Sequence, residues 1–404
     1  MVEEFLFFLE VLVGGLLTGI MYSLVALGLV LIFKASQIFN FAQGAFVLFA
    51  ALTFVIMLEV GPGFWSWTGW LALVFAGLAA AIYGLRRFTA VLDEPIRYGR
   101  TPVVLAAIAV VLLPILFDGG QTMWRAVFIV QLTFLMLTVG ARTPHWAAGI
   151  LLGLAVVCFF LDEAMMWRAL AVTLLVMIMM AIAIERIVLR PLVNQEPIIL
   201  FMAAIGLNFV IEGVAQGVWD ADVHPLDIGI PDVPIEWFVD SLGLFISTFD
   251  VAAAGTAAAM VAALAWFFSK TRVGRALRAV ADDHQAALSV GIPLKNIWAV
   301  VWAASAIVAL FAGLMWGSKL GVQFSISLLA FKALPVILIG GFTSIPGAII
   351  GGLIVGSTEK LFEVYVGIPY FGGGTENWSP YMLGTLFLLV WPQGLFGEKI
   401  IERV

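Results

Sequence analysis

Charge is what this chain has least of. Only 11% of its 404 residues are Asp, Glu, Lys or Arg and 63% are hydrophobic, whereas a soluble domain is about a quarter charged. Twenty basic and twenty-six acidic side chains cannot clothe a soluble body of this size. One cysteine, Cys158, excludes an internal disulfide. His145, His224 and His284 share no ligand spacing, so no metal site is expected. There is no G-x-x-x-x-G-K-[ST] phosphate loop, no soluble stretch long enough for a nucleotide domain, and no nucleophile–base cluster within the apolar runs. The chain is therefore not expected to be an enzyme, to bind a cofactor of its own or to meet nucleic acid. Basic residues are also missing ahead of the first apolar run, where Glu3, Glu4 and Glu10 stand and no Lys or Arg comes before Lys34. A cleavable leader has the opposite charge order. The first helix is expected to be retained, with its N-terminus outside.

What the chain has instead is long uncharged runs. Residues 11–33, 35–58, 60–85, 296–318 and 333–358 each reach or exceed the ~20 residues of a membrane-spanning helix. The class is all-α: a polytopic bundle in a lipid membrane, since a barrel would show short alternating segments. Charge-free runs between breaks give about thirteen segments, at 10–33, 43–59, 66–85, 102–117, 123–141, 146–161, 167–188, 198–219, 247–268, 297–317, 328–341, 345–365 and 380–396. Their orientation follows from the basic residues. Residues 270–295 hold Lys270, Arg272, Arg275, Arg278 and Lys295, and the loop after residue 85 holds Arg86, Arg87, Arg97 and Arg100; both read as cytoplasmic. Residues 220–250 hold Asp220, Asp222, Asp227, Asp232, Glu236, Asp240 and Asp250 with no Lys or Arg, and read as external. The C-terminus then lies in the cytoplasm. Around 328–345, Lys332, Pro335, Gly340, Gly341, Pro346 and Gly347 suit either a broken or re-entrant helix or a short helix and tight turn. Gly347, Gly351, Gly352 and Gly356 form interleaved G-x-x-x-G spacings, for close packing within one subunit or between two.

Polar groups at membrane depth usually face the interior of a bundle. Candidates for a translocation path are Tyr22, Ser23, Asn40, Gln43, Gly44, Asn208, Glu212, Gln216, Thr343 and Ser344. A structural turn at Asn40–Gly44 explains that cluster equally well, and Glu212 is expected either to pair with Lys332 or to lie near the outer surface. The cytoplasmic stretch 274–292 is rich in helix formers. Its apolar Ala276, Leu277, Val280, Ala287 and Leu288 recur at helical spacing between Arg275, Arg278, Asp282 and Asp283, and Gly291 and Pro293 end the run. Periodicity alone makes it an amphipathic helix under the membrane.

Several separated motifs carry a resemblance. They are Gly15-Leu-Leu-Thr-Gly-Ile-Met-Tyr-Ser, Ile38-Phe-Asn-Phe-Ala-Gln-Gly-Ala-Phe, Ile184-Glu-Arg-Ile-Val-Leu-Arg-Pro-Leu and Ile205-Gly-Leu-Asn-Phe. After the 274–292 loop come Ile339-Gly-Gly-Phe-Thr-Ser-Ile-Pro-Gly-Ala-Ile-Ile-Gly-Gly and Trp391-Pro-Gln-Gly-Leu-Phe-Gly. In this order, over roughly residues 10–59 and 167–404, the chain resembles the LivH-type permease subunits of ABC importers for branched-chain amino acids. The resemblance implies a bacterial inner-membrane subunit that moves branched-chain or related hydrophobic amino acids by alternating access. It implies two separate cytoplasmic ATP-binding subunits that use the ATP, a soluble substrate-binding protein, and a second, LivM-type permease in a heterodimer. Helix 274–292 would dock on the ATPase, with Arg275, Arg278, Asp282 and Asp283 at the rim and Ala279, Ala286 and Ala287 as a smooth face, up to Gly291. Relatives of this kind also serve urea, short amides and aromatic or organic acids. An ion-coupled secondary carrier is the rival from another class.

The motif pattern divides the chain in three: 1–59 as the first part of the permease core, 60–166 as an insertion, and 167–404 as the remainder. The insertion would add about four segments to a family core of about nine, an even number that leaves the sidedness of later helices unchanged.

Overall fold

The computed structural model describes residues 2–37, 39–60, 165–192, 195–282, 287, 289–292 and 294–397, with positions 153 and 156 in isolation. The described chain is helical and contains no strand. In order it forms α1 (Val2–Ser36), α2 (Gln43–Glu59), α3 (Met165–Ile184), α4 (Pro197–Trp219), α5 (Glu236–Leu242) and α6 (Thr248–Lys270). Then come α7 (Arg272–Asp282), α8 (Leu294–Leu320), α9 (Leu329–Gly340), α10 (Ile345–Phe362) and α11 (Ser379–Val390). Among the described residues, six helices are long and apolar enough to cross a membrane: α1, α3, α4, α6, α8 and α10 with its continuation to Phe371. Segments 43–59, 324–340 and α11 are apolar but shorter. The spans expected at 66–85, 102–117, 123–141 and 146–161 lie outside the described residues, apart from isolated helical positions 153 and 156.

Helix ends fall where local chemistry places them. Pro197 opens α4 and Pro346 stands in the first turn of α10, where a missing N–H costs nothing. Ser344 caps α10 by accepting from Gly347 N at 3.0 Å. α1 stops at Ser36 and Gln37 takes a left-handed φ of 56°. α3 runs into a π-turn at Glu185–Leu189 and a 3-10 turn at Arg190–Leu192 that contains Pro191. The last segment ends at Val390, short of the residue 396 expected, because Trp391-Pro392 turns the chain back. Leu395 N and Phe396 N then donate to Ile339 O and Gly340 O at 2.8 and 3.1 Å, so the final motif closes the C-terminus of α9.

α2 lies at the centre, with Gln43 to Met57 all buried. Lipid tails are as apolar as Leu, so burial alone does not hold such helices together; close van der Waals contact does. α1 and α10 achieve it through glycine. A Cβ on Gly15 would sit 2.8 Å from Gly356 O, one on Gly19 would strike Gly352 O, and one on Gly352 would strike Ser23 Oγ. Gly347 and Gly351 face Gly340 and Val336 of α9 in the same way. The 347–356 spacing thus serves packing within one subunit.

The region around 328–345 is a short helix, α9, followed by a tight turn at 341–344 into α10. α8 ends at Leu320, Val322 exchanges backbone bonds with His224, and a 3-10 turn (Phe324–Leu328) leads into α9. Gly44, at the start of α2, meets this turn: a Cβ there would fall on Ser327 O. Two segments shorter than a full span therefore touch where each begins, inside protein that satisfies their backbone.

Candidate functional site

Three constellations carry chemistry. The first lies at the break between α1 and α2. Asn40 and Gln43 are fully buried. Asn40 Oδ1 accepts from Ala42 N at 3.2 Å, while its Nδ2 is buried without a partner. Ser305 Oγ of α8 lies 2.7 Å from Gln43 Oε1 and 3.1 Å from Gly28 O, and Gln43 Nε2 donates to Ser305 O at 3.4 Å. Gly28 is eight residues from the end of α1, about 12 Å along the helix axis, so the polar knot sits well within the bundle. Gly44→Ala is expected to force α2 off Ser327 and to lower the thermal midpoint of the purified protein by about 5 °C. An unchanged melting curve would contradict this packing.

The second constellation joins α1, α9 and α10. Lys332 Nζ lies 3.0 Å from Glu359 Oε1 and 3.3 Å from Tyr22 Oη, which itself lies 3.1 Å from Glu359 Oε1. The Tyr22 ring stacks on Trp316 of α8 with centroids 5.2 Å apart. Lys332 therefore pairs with Glu359, not with Glu212 as one expectation had it. Glu212 and Asn208 are half-buried along α4, and the structure does not bring them to either constellation. Sequence reasoning missed Glu359. The findable signal was the α9–α10 hairpin itself: pivoting on the Gly340–Gly347 contact, it sets residue 332 level with residue 355, one turn from Glu359. Ser23 belongs to helix packing, its Oγ donating to Gly19 O at 2.9 Å, and Thr343 is half-buried beside Ser344, the cap of α10.

The third is the elbow between α6 and α7. The last carbonyls of a helix lack intrahelical partners. Here arginines supply them: Arg278 Nη1 donates to Phe268 O at 2.8 Å and Arg275 Nη1 to Lys270 O at 3.2 Å. Thr271 Oγ1 accepts from Gly274 N at 3.1 Å, and Gly274 packs so tightly on Phe268 that a Cβ would overlap its backbone. Leu277 and Val280 are buried on the bundle side, while Arg272, Arg275 and Arg278 lie on the exposed side. Ala279 is half-buried. Ala287 is buried against the bundle and Gly291 takes a φ of 84°. Asp283, Ala286 and the side chain of Asp282 lie outside the described residues.

A bundle of long apolar helices, with shorter apolar segments meeting at buried polar groups and an amphipathic helix packed on the end of α6, is the architecture of a multi-pass membrane protein. A family model for the permease component of branched-chain amino acid transport systems matches residues 11–140 and 146–391, and the chain belongs to that family. The match includes most of residues 60–166. The chain is 32% identical over 231 residues to the high-affinity branched-chain amino acid transport permease LivH of Salmonella typhimurium, covering 55% of this chain and 71% of that one. It is 30% identical over 230 residues to LivH of Escherichia coli, with the same coverage, and 29% identical over 242 residues to BraD of Pseudomonas aeruginosa, covering 59% and 77%. No solved structure matches. The protein is a LivH-type permease.

Proposed function

We propose that this permease is the membrane subunit of an ABC importer and moves branched-chain or related hydrophobic amino acids inward by alternating access. Two separate cytoplasmic subunits hydrolyse the ATP, a soluble receptor delivers the cargo, and a LivM-type permease completes a heterodimer. The N-terminus lies outside and the C-terminus in the cytoplasm of a bacterial inner membrane. Residues 60–166 add helices to the core defined by 1–59 and 167–404. Tyr22, Ser23, Asn40, Gln43, Gly44, Asn208, Glu212 and Ser344 are assigned to the path and its supports, and Arg275 to Gly291 to coupling.

The observation that carries this reading is the elbow. A helix with one apolar face buried is bolted to the end of α6 by Arg275 and Arg278 of its exposed face. Force applied to α7 therefore reaches α6 without being lost in a hinge. An ion-coupled carrier would have no use for such a helix. Gentle solubilisation and affinity capture of this chain is expected to bring down an ATP-binding subunit pair and a second permease. Recovery of the chain alone, still competent for uptake in ATP-free liposomes, would overturn the proposal.

A further inference from the structure

The Tyr22–Lys332–Glu359 constellation is costly unless it does something. A charged pair within apolar spans loses its hydration and is usually found facing a path or a partner. The pair here is incomplete on both sides. Glu359 Oε1 receives both Tyr22 Oη and Lys332 Nζ, but Oε2 is buried without a partner on a side chain only 1% exposed. Lys332 has three N–H donors; its bonds to Glu359 and Tyr22 engage two of them, and its side chain remains 25% exposed. One spare donor and one spare acceptor thus stand beside each other. Apolar surface is near in sequence: Leu328, the last residue of the turn before α9, and Phe331 on α9 are exposed, while Trp316 is buried against the Tyr22 ring.

We propose that this constellation is the cargo site within the membrane, and that it reads the zwitterion of an α-amino acid. The inference rests on the transport function proposed above and names the site that function requires. In an α-amino acid, the ammonium nitrogen and the carboxyl carbon are about 2.5 Å apart by standard geometry. One cargo molecule can therefore meet an ammonium and a carboxylate that are themselves adjacent, as Lys332 and Glu359 are through Oε1. The cargo carboxylate takes the spare Lys332 donor, its ammonium takes Glu359 Oε2, and its apolar side chain lies along Leu328 and Phe331. The site and the cargo are each net neutral, so no uncompensated charge enters the bilayer. An amine or an acid bearing only one of the two charges leaves one partner unmatched, and a buried polar group left unpaired is the strongest basis for rejection. Urea and simple amides carry neither charge. The Tyr22 hydroxyl, 3.1 Å from Glu359 Oε1, leaves Oε2 as the oxygen without a partner.

The test uses the complex purified from its membrane, without soluble receptor and without ATP. It is irradiated with a diazirine analogue of leucine, and the labelled peptides are mapped. Label is expected on the peptide holding Leu328 and Phe331. Leucine should suppress it about tenfold, while isopentylamine and 4-methylpentanoate at the same concentration leave most of it, since each leaves a buried charge unpaired. Glu359→Gln and Lys332→Met should each reduce labelling to about a tenth by the same argument. Label mapping elsewhere, or equal suppression by the amine or the acid, overturns the site. The map and the competition on the unaltered protein decide this by themselves if a variant does not fold. The outcome does not depend on what drives uptake: failure to capture an ATPase would overturn the importer reading and leave the labelling result standing.

Discussion

A complex carrying Arg278→Glu is expected to hydrolyse ATP while importing cargo at about a tenth of the normal rate or less, because a charge-assisted bond of about 1.5–3 kcal/mol is replaced by repulsion. Arg278 donates to Phe268 O at the end of α6, where the helix dipole is negative and a cation is favoured. A glutamate there faces the same carbonyls with the wrong sign. Since Leu277 and Val280 still anchor the helix to the bundle and Arg275 still reaches Lys270 O, α7 remains attached but loses its bond to Phe268. The measurement is cargo moved per ATP hydrolysed in liposomes. A purely structural defect would lower both quantities together; an elbow defect lowers their ratio. Arg278→Lys keeps the charge with a single donor head and should recover part of it. An unchanged ratio in Arg278→Glu would show that α7 does not transmit force through α6.

Replacing Gly352 with Leu is expected to prevent accumulation of folded protein, and Gly352→Ala to lower its thermal midpoint by about 5 °C or more. The reason is the absence of any yielding neighbour. A Cβ on Gly352 meets Ser23 Oγ and lies 2.5 Å from Gly19 O, and α10 cannot retreat because Gly347 and Gly351 hold it equally close to α9. Gly14→Leu serves as control: it sits beside Gly15 on α1, yet a Cβ there has nothing within 4 Å. Detergent-solubilised variants compared by thermal scanning separate the two. Similar losses at Gly14 and Gly352 would contradict the interhelical contact as the reason for the glycine, since both substitutions raise helix propensity.

What could be read from the sequence follows from which forces are local. α2 was expected at 43–59 and forms Gln43–Glu59, because Asn40 and the Glu59–Val60 end are written into adjacent residues. α10 begins at Ile345 because Ser344 and Pro346 specify an N-terminus by themselves. Hydropathy also gave the six long apolar helices, each a continuous run. The last helix is six residues shorter than hydropathy suggests, because apolar residues continue through Trp391–Phe396 while Pro392 and Gly394 turn them back onto α9. At the candidate site the same division holds. Asn40 and Gln43 stood out as polar residues in apolar surroundings, but Ser305, which binds Gln43 from 262 residues away, carries no local sign of it. Lys332 was visible and its partner was not, because the pairing depends on how α9 and α10 are folded against each other. Arg275 and Arg278 fall in an amphipathic helix by periodicity; that they donate to the end of α6 depends on the fold of the elbow, which no local pattern carries.

The central claim is that ATP hydrolysed outside this chain drives cargo through it. The most direct measurement places the captured complex in liposomes, supplies receptor and labelled leucine on the outer side of the permease, and compares uptake with ATP, with a non-hydrolysable analogue and with an imposed proton gradient. Accumulation against a gradient with ATP alone is the predicted result. Accumulation driven by the proton gradient, and indifferent to ATP, would contradict it.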